Sequence, residues 1–394
     1  MDRAYAFALS LLLLASCAQS AEMPEAEEAM PAPQEREPRS TCDAFLLNVF
    51  PLAPEQIETI IPMGRVQDSH VTPTDHQYVI PMGTKGGSLV TDEPGRYQVI
   101  SPADGAIVHL EIFKEPVEES YRSQPYSDNY LVEIEHGCGV STRMIHLDTV
   151  RKDIMDKMQW MEWESQHPYA RGRVPVEEGE TIGTVGPHSF DFMVVDTRVT
   201  LPGFIVPSRY SGNSEPWKTH VVDTFDYLAE PMRSALLAKS LKRTEPYGGK
   251  LDYDVDGTLL GNWYRRGAGE QWEYWKDELS VVYDHLDTTQ IRISLGDYDG
   301  YPKAFAVHGN APDPASVGVG ETIAYELQPF EYYVGEQRWD GIHHAEGIVA
   351  RNLGESRGFV LFEMSDSRTL TVETFPRAAS APLAFTSAAQ VYER

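Results

Sequence analysis

The sequence is poor in cysteine and in positive charge. Three of its 394 residues are cysteine, and 33 Lys and Arg residues are outnumbered by 60 Asp and Glu residues, which gives a net charge of −27. This balance argues against a nucleic-acid partner, because binding to phosphates needs clustered Lys and Arg. So few cysteines give no basis for a thiol protease, and no serine lies in a nucleophile-elbow motif.

The N-terminus carries an export signal. Arg3 precedes an apolar run from Ala4 to Ala15 that is too short to span a membrane. The run closes with "LASC", residues 14–17, which resembles the bacterial lipobox. The resemblance implies cleavage of a signal peptide, residues 1–17, before Cys17 and lipidation of its thiol. With Ala18 next, it also implies a lipid anchor in the outer membrane facing the periplasm. An ordinary cleaved signal peptide is the alternative.

A tether is predicted after the signal. Residues 18–43 are rich in Ala, Glu and Pro and bury too little apolar surface to fold. Cys42 and Cys138 remain once Cys17 is set aside, and disulfides persist in exported proteins. We expect a Cys42–Cys138 disulfide, and two unpaired buried thiols are the alternative.

The rest of the chain predicts two mainly β domains. Residues 44–210 contain short apolar runs separated by Gly turns, including a hairpin with strands at 130–135 and 141–146. The spacing of Ile154, Met158 and Met161 predicts one surface helix inserted among the strands.

A helical connector and a second β domain follow. Residues 211–247 predict the connector, with its helix beginning at Pro231. Residues 248–394 hold six or more strand-sized runs with polar turns, which favour a closed barrel or a sandwich. The run "ELQPFEYYVGEQRW" within it is aromatic enough to stack on sugars, although such residues also build barrel cores.

Four segments of the first domain resemble the lysostaphin/LytM-type zinc metallopeptidases, which have the duplicated-hybrid-motif fold. In chain order they are "SPADGAIV", "VEIEHGCGVSTRMIHL", "VEEGETIGTVG" and "GPHSFDFMVV". The resemblance covers roughly residues 65–200. It implies a LytM-like β domain with a site for one zinc ion.

The family's zinc ligands are a His, an Asp four residues later, and the second His of a His-x-His. This chain departs from that pattern. The resemblance, read with strand alternation, implies that His70, His76 and Asp191 bind the metal. His146 matches a catalytic His of the family, and His188 is the candidate for the second, on condition that the strand end bulges. Asp75 is expected on the opposite strand face from His76.

Three functions are open at this point. The first is a lipoprotein that binds cell-wall peptide, or cleaves it as a zinc-dependent endopeptidase, with peptidoglycan or its stem peptides as partner. The second is a metal-free module that binds peptidoglycan or activates a cell-wall amidase. The third is a structural lipoprotein whose C-terminal β-barrel holds a ligand.

Overall fold

The structure, a computed structural model, describes residues 42, 45–67, 69–86, 93–113, 129–161, 168–211, 215–267, 275–382 and 384–394. The predicted signal peptide with Cys17, and residues 18–41 and 43 of the predicted tether, lie outside these residues. Within the described part of the chain, none of the helices has the length and apolar character needed to cross a bilayer.

The first part of the chain folds into two antiparallel sheets. Its strands are β1 (Ile57–Ile61), β2 (Gln77–Pro81), β3 (Tyr97–Ile100), β4 (Gly105–Phe113), β5 (Asn129–Gly137), β6 (Val140–Leu147), β7 (Thr149–Val150), β8 (Gln159–Met161), β9 (Tyr169–Val176), β10 (Thr181–Val185), β11 (Phe190–Asp196) and β12 (Val221–Val222). The larger sheet has the order β1-β2-β11-β6-β5-β4-β9-β8, with β12 added to β11, and the smaller one the order β3-β10-β7. The predicted hairpin is confirmed as β5 and β6.

The predicted inserted helix is wrong in extent. Only α1 (Lys152–Met155) is α-helical, and the chain then enters β8, which pairs with β9. Ile154 and Met158 are buried against the core of the sheets. Their helical spacing therefore reflects one helical turn followed by a turn into a strand.

The predicted connector is mostly irregular and is packed against the sheets. The α-helix α2 (Pro207–Ser211) ends where the predicted connector begins, and α3 (Met232–Leu237) lies within it. Phe225 and Leu236 belong to the core of the sheets, and Leu47 forms a bridge with Leu228. The connector thus covers the first part of the chain and is not an isolated linker.

The C-terminal part forms a closed antiparallel barrel, as one of the two predicted architectures. Its strands are β13 (Gly261–Arg265), β14 (Glu278–Tyr283), β15 (Ile291–Tyr298), β16 (Tyr301–Val307), β17 (Thr322–Gln328), β18 (Phe330–Val334), β19 (Gln337–Arg338), β20 (Ile348–Asn352), β21 (Gly358–Asp366), β22 (Thr369–Pro376) and β23 (Gln390–Glu393). The barrel runs β13-β14-β15-β16-β17-β21-β22-β23, and β19-β18-β20 form a separate small sheet. Buried side chains such as Trp263, Phe305 and Phe362 pack together in the core of the barrel.

A disulfide and the packing of the barrel against β11 join distant parts of the fold. A disulfide joins Cys42 to Cys138 in the β5–β6 turn, with the Cα atoms 5.3 Å apart. All residues of β11 are buried, because one face lies on the core of the sheets and the other lies under the connector and the barrel. On that second face, Met193 and Val195 pack with Tyr264 of β13. The barrel therefore helps to close the face of the sheet that carries the candidate site.

Candidate functional site

Asp191 lies near the start of β11, between β2 and β6. It pairs directly with Tyr78 and with Ile145, so the three residues share one face of the sheet. Phe190 and Phe192 belong to the core on the other face and are fully buried. The strand alternation used to place Asp191 from the sequence is the alternation that the structure has.

Two imidazoles meet the Asp191 carboxylate. Nε2 of His76 and Nε2 of His146 each lie 3.3 Å from Oδ2 of Asp191. Asp191 is buried, and its Oδ1 makes no hydrogen bond within the described residues. Burial alone would raise the pKa of Asp191, but His76 and His146 lower it overall. Burial likewise disfavours the imidazolium of His76, yet Asp191 and Asp75 raise its pKa overall.

His146 reaches Asp191 from an unusual backbone. The register between β5 and β6 shifts here, so that Tyr130 pairs with Leu147 and Leu131 pairs with Ile145. His146 is the extra residue of this β-bulge, and its φ is +74°. Bulges re-aim side chains near functional sites, and left-handed backbone at a non-glycine residue is costly. The fold therefore holds His146 toward the carboxylate at a conformational cost.

The other ring nitrogen of each imidazole is also held. Nδ1 of His76 lies 2.8 Å from Oδ1 of Asp75, and Nδ1 of His146 lies 3.0 Å from Oδ1 of Asn129. Such partners fix the ring and the tautomer, so that Nε2 is presented to the site. The predicted placement of Asp75 away from His76 is wrong. Both residues precede β2, which begins at Gln77, so strand alternation does not separate them.

His70 lies beside the cluster that His76, His146 and Asp191 form. Its ring centroid is 5.5 Å from that of His76. Its backbone forms two hydrogen bonds with Gln67, at 2.9 and 3.0 Å, which set its position. Its ring nitrogens make no hydrogen bonds with the described residues. Burial, and then the nearby His76, lower the pKa of His70 to about 3, so the ring is neutral at pH 7.

His188 is not brought into the cluster. Its Nε2 lies 2.9 Å from Oδ1 of Asp148, and its Nδ1 lies 2.9 Å from the carbonyl oxygen of Ser189. The bulge that its predicted catalytic role required is absent, since β11 pairs regularly from Phe190 onward. The Ser189 hydroxyl is buried without a hydrogen-bond partner among the described residues. His188 therefore has a contact of its own on a different part of the sheet.

The connector covers the cluster. Nε1 of Trp217 donates to Oδ2 of Asp75 at 2.6 Å, and the Trp217 ring stacks on the Arg143 guanidinium at 3.5 Å. Next to it, Nζ of the buried Lys218 donates to Oγ1 of Thr72 at 3.0 Å and to Glu215 at 3.1 Å. The site is therefore closed by side chains that approach from outside the sheet.

A small cavity remains under this cover. Its volume is about 20 Å³, room for about one water molecule. His70, Asp75 and His76 line it together with Lys218 and Glu278, which comes from β14 of the barrel. Burial raises the pKa of Glu278 to about 8 although Lys218 opposes the shift. The barrel thus contributes a carboxyl group that is largely protonated at neutral pH.

His76 and Asp191 have the separation of two zinc ligands, but a third ligand is not yet in place. Two ligands about 2.0–2.1 Å from a tetrahedral zinc are about 3.3 Å apart, which is the separation of Nε2 of His76 from Oδ2 of Asp191. The unpaired His76 Nε2 and Asp191 Oδ1 are buried atoms that a cation would satisfy. Among the described residues no group of three or more potential ligands already surrounds a common point. A third ligand must therefore turn toward this edge, and the unpaired ring of His70 is the nearest candidate.

Some residues of the site were not predicted from the sequence. Asn129, Trp217, Lys218 and Glu278 lie in no motif, and only the fold brings them to the cluster. Asp75 did carry a signal, because a carboxylate adjacent in sequence to a candidate ligand is placed to bond to its second ring nitrogen.

Comparison with known proteins assigns no role to this site. No family model, no curated protein and no solved structure matches it. Its function has to be inferred from the geometry of the site and from the sequence.

Proposed function

We propose that the chain is a LytM-like, zinc-dependent protein that acts on cell-wall peptide as an endopeptidase. The observation that carries the proposal is the convergence of His76 and His146 on Asp191, with both Nδ1 atoms held by acceptors. Histidines that bind a metal almost always donate their other ring N–H to such a partner.

The proposal gives each residue a role. His70, His76 and Asp191 hold the ion, and Asp75 orients His76. Zinc, when bound, activates water and polarises a peptide carbonyl. The resemblance to the family gives His146 a catalytic role and not a ligand role, and Asn129 holds its Nδ1. Its Nε2 is therefore placed to take up a proton at the site.

The cellular setting rests on the sequence. A lipobox at Cys17 anchors the protein in the outer membrane, and the acidic residues 18–43 form the tether to the folded part. Peptidoglycan and its stem peptides are the polymer within reach of a protein anchored in this way. The Cys42–Cys138 disulfide agrees with an oxidising compartment.

The closed cover favours a second candidate, a metal-free module that binds the wall or activates an amidase. Trp217 and Lys218 lie over the cluster, and the cavity of about 20 Å³ does not admit a peptide. For hydrolysis the connector must move, whereas a binding module needs no access to His76 and Asp191.

Elemental analysis of the purified protein separates the two candidates. We expect one zinc per chain in the wild type, loss of zinc in Asp191→Asn, and unchanged zinc in the matched control His188→Gln. Release of soluble products from purified peptidoglycan, absent in His146→Gln, then tests hydrolysis. Zinc-free wild type that sediments with peptidoglycan would support the second candidate.

A further inference from the structure

A larger cavity lies outside the candidate site, beside the barrel. Its volume is about 390 Å³, within the range of small-molecule sites. Segments from both parts of the chain form its walls: residues 61–67 after β1, residues 303–305 on β16, and residues 329–341 around β18 and β19. The sequence predicts a ligand site in the C-terminal β domain, and this cavity lies where that domain meets the first part of the chain.

Four cationic and two acidic side chains line this cavity, in a chain that is strongly acidic overall. Arg65, Lys303, Arg338 and Arg357 all line it. Arg338 and Arg357 form ion pairs with nearby glutamates, at 3.1 and 2.8 Å. Arg65 and Lys303 have no carboxylate partner among the described residues. Glu331 and Asp340 also line the cavity, but they contact Arg338 and His343, so Arg65 and Lys303 remain as cations that favour an anion there.

A buried histidine adds an unsatisfied polar group. His285 lines the cavity and is 5% exposed. Its Nδ1 lies 3.4 Å from the hydroxyl of Tyr332, while its Nε2 makes no hydrogen bond with any described residue. Tyr332 in turn donates to Asp284 at 2.6 Å, and Asp284 pairs with the buried Arg292 at 2.8 Å. These contacts hold Tyr332 in position as one wall of the cavity.

The cavity is also apolar on one side. Phe330, Tyr332 and Trp339 line it, and these are residues of the aromatic run singled out in the sequence. Phe330 is fixed by the Arg292 guanidinium, which lies 3.8 Å from its ring centroid. Aromatic side chains of this kind offer flat contact surface to a ring.

We propose that this cavity binds a small ligand that carries a negative charge on a ring, of the aromatic-carboxylate class. Arg65 and Lys303 neutralise the carboxylate, and the aromatic side chains contact the ring. Unlike an inorganic anion, such a ligand uses both halves of the cavity, and unlike a neutral ring it supplies Arg65 and Lys303 with a carboxylate. The assignment is independent of zinc and of hydrolysis.

Calorimetric titration of the mature protein with benzoate, benzyl alcohol and inorganic phosphate tests the assignment. We expect saturable one-to-one binding of benzoate and at least about tenfold weaker binding of the other two probes. Lys303→Gln and Arg65→Gln should each weaken the affinity for benzoate about five- to tenfold. Lys152→Gln, which removes an exposed lysine on α1, should leave the affinity for benzoate unchanged.

Three results would overturn the proposal. The first is that the wild type shows no saturable binding of benzoate. The second is that phosphate or benzyl alcohol binds more tightly than benzoate. The third is that Lys152→Gln and Lys303→Gln weaken benzoate binding equally. Lys303 is exposed on β16, so its replacement tests the charge without threatening the fold.

Discussion

Nε2 of His146 lies 3.3 Å from Oδ2 of Asp191, and His146 makes this contact from the left-handed region of backbone conformation, at a φ of +74°. The bulge between β5 and β6 produces both features. The strain predicts a difference between two simple variants.

His146→Gly should be more stable than His146→Ala by about 1 kcal/mol, because glycine adopts a positive φ without the Cβ clash that alanine suffers. Both variants lose the same side chain, so the comparison isolates the backbone. Urea unfolding measures the difference. At His136, on β5 with no positive φ, the order of the glycine and alanine variants should reverse.

A second prediction concerns Asp75, which holds Nδ1 of His76. If the cluster binds zinc, Asp75→Ala should weaken zinc affinity 10- to 100-fold, as loss of such a partner typically does. Competition with a chromophoric chelator measures the affinity. Asp148→Ala is the matched control, because it removes the carboxylate that contacts His188. Equal losses in the two variants would contradict the assigned role of Asp75.

The anchor gives a third prediction. Cys17→Ser should abolish incorporation of labelled fatty acid in cells and release the protein from the membrane fraction, because two or more acyl chains hold a protein stably and none would remain. Cys42→Ser should keep the lipid, since Cys42 is bonded to Cys138. Continued labelling of Cys17→Ser would refute the lipobox assignment.

Local patterns predicted much of the fold and part of the site. The glycine turn between β5 and β6 predicted the hairpin, and the alternation of Phe190, Asp191 and Phe192 gave the face of the sheet on which Asp191 lies. The turn-separated runs of the C-terminal part predicted barrel strands. These features depend on a few neighbouring residues, so a single sequence contains them.

What could not be predicted depends on distant contacts or on local irregularity. Thr72 meets Lys218, 146 residues away, and Glu278, 206 residues away, and no periodic pattern encodes such pairs. The bulge at His146 adds one residue to β6, and no glycine or proline within the strand marks it in the sequence. The position of Asp75 was predicted wrongly because strand alternation was applied to residues that precede β2, which begins at Gln77.

The closing prediction concerns pH and the carboxyl group that the barrel contributes. Burial raises the pKa of Glu278 from 4.5 to about 8, so the folded protein keeps a proton that the unfolded chain releases. Stability from this group is fully present below about pH 4.5 and is lost as the pH rises toward 8, by a few kcal/mol in total. Glu278→Gln retains a neutral acceptor for Thr72, so its free energy of unfolding should fall much less between pH 5 and pH 9. Urea unfolding at pH 5, 7 and 9 measures this, with Glu326→Gln on β17 as the control from the same barrel. Parallel pH profiles for wild type and Glu278→Gln would show that the Glu278 carboxyl already ionises near its ordinary pKa in the folded protein.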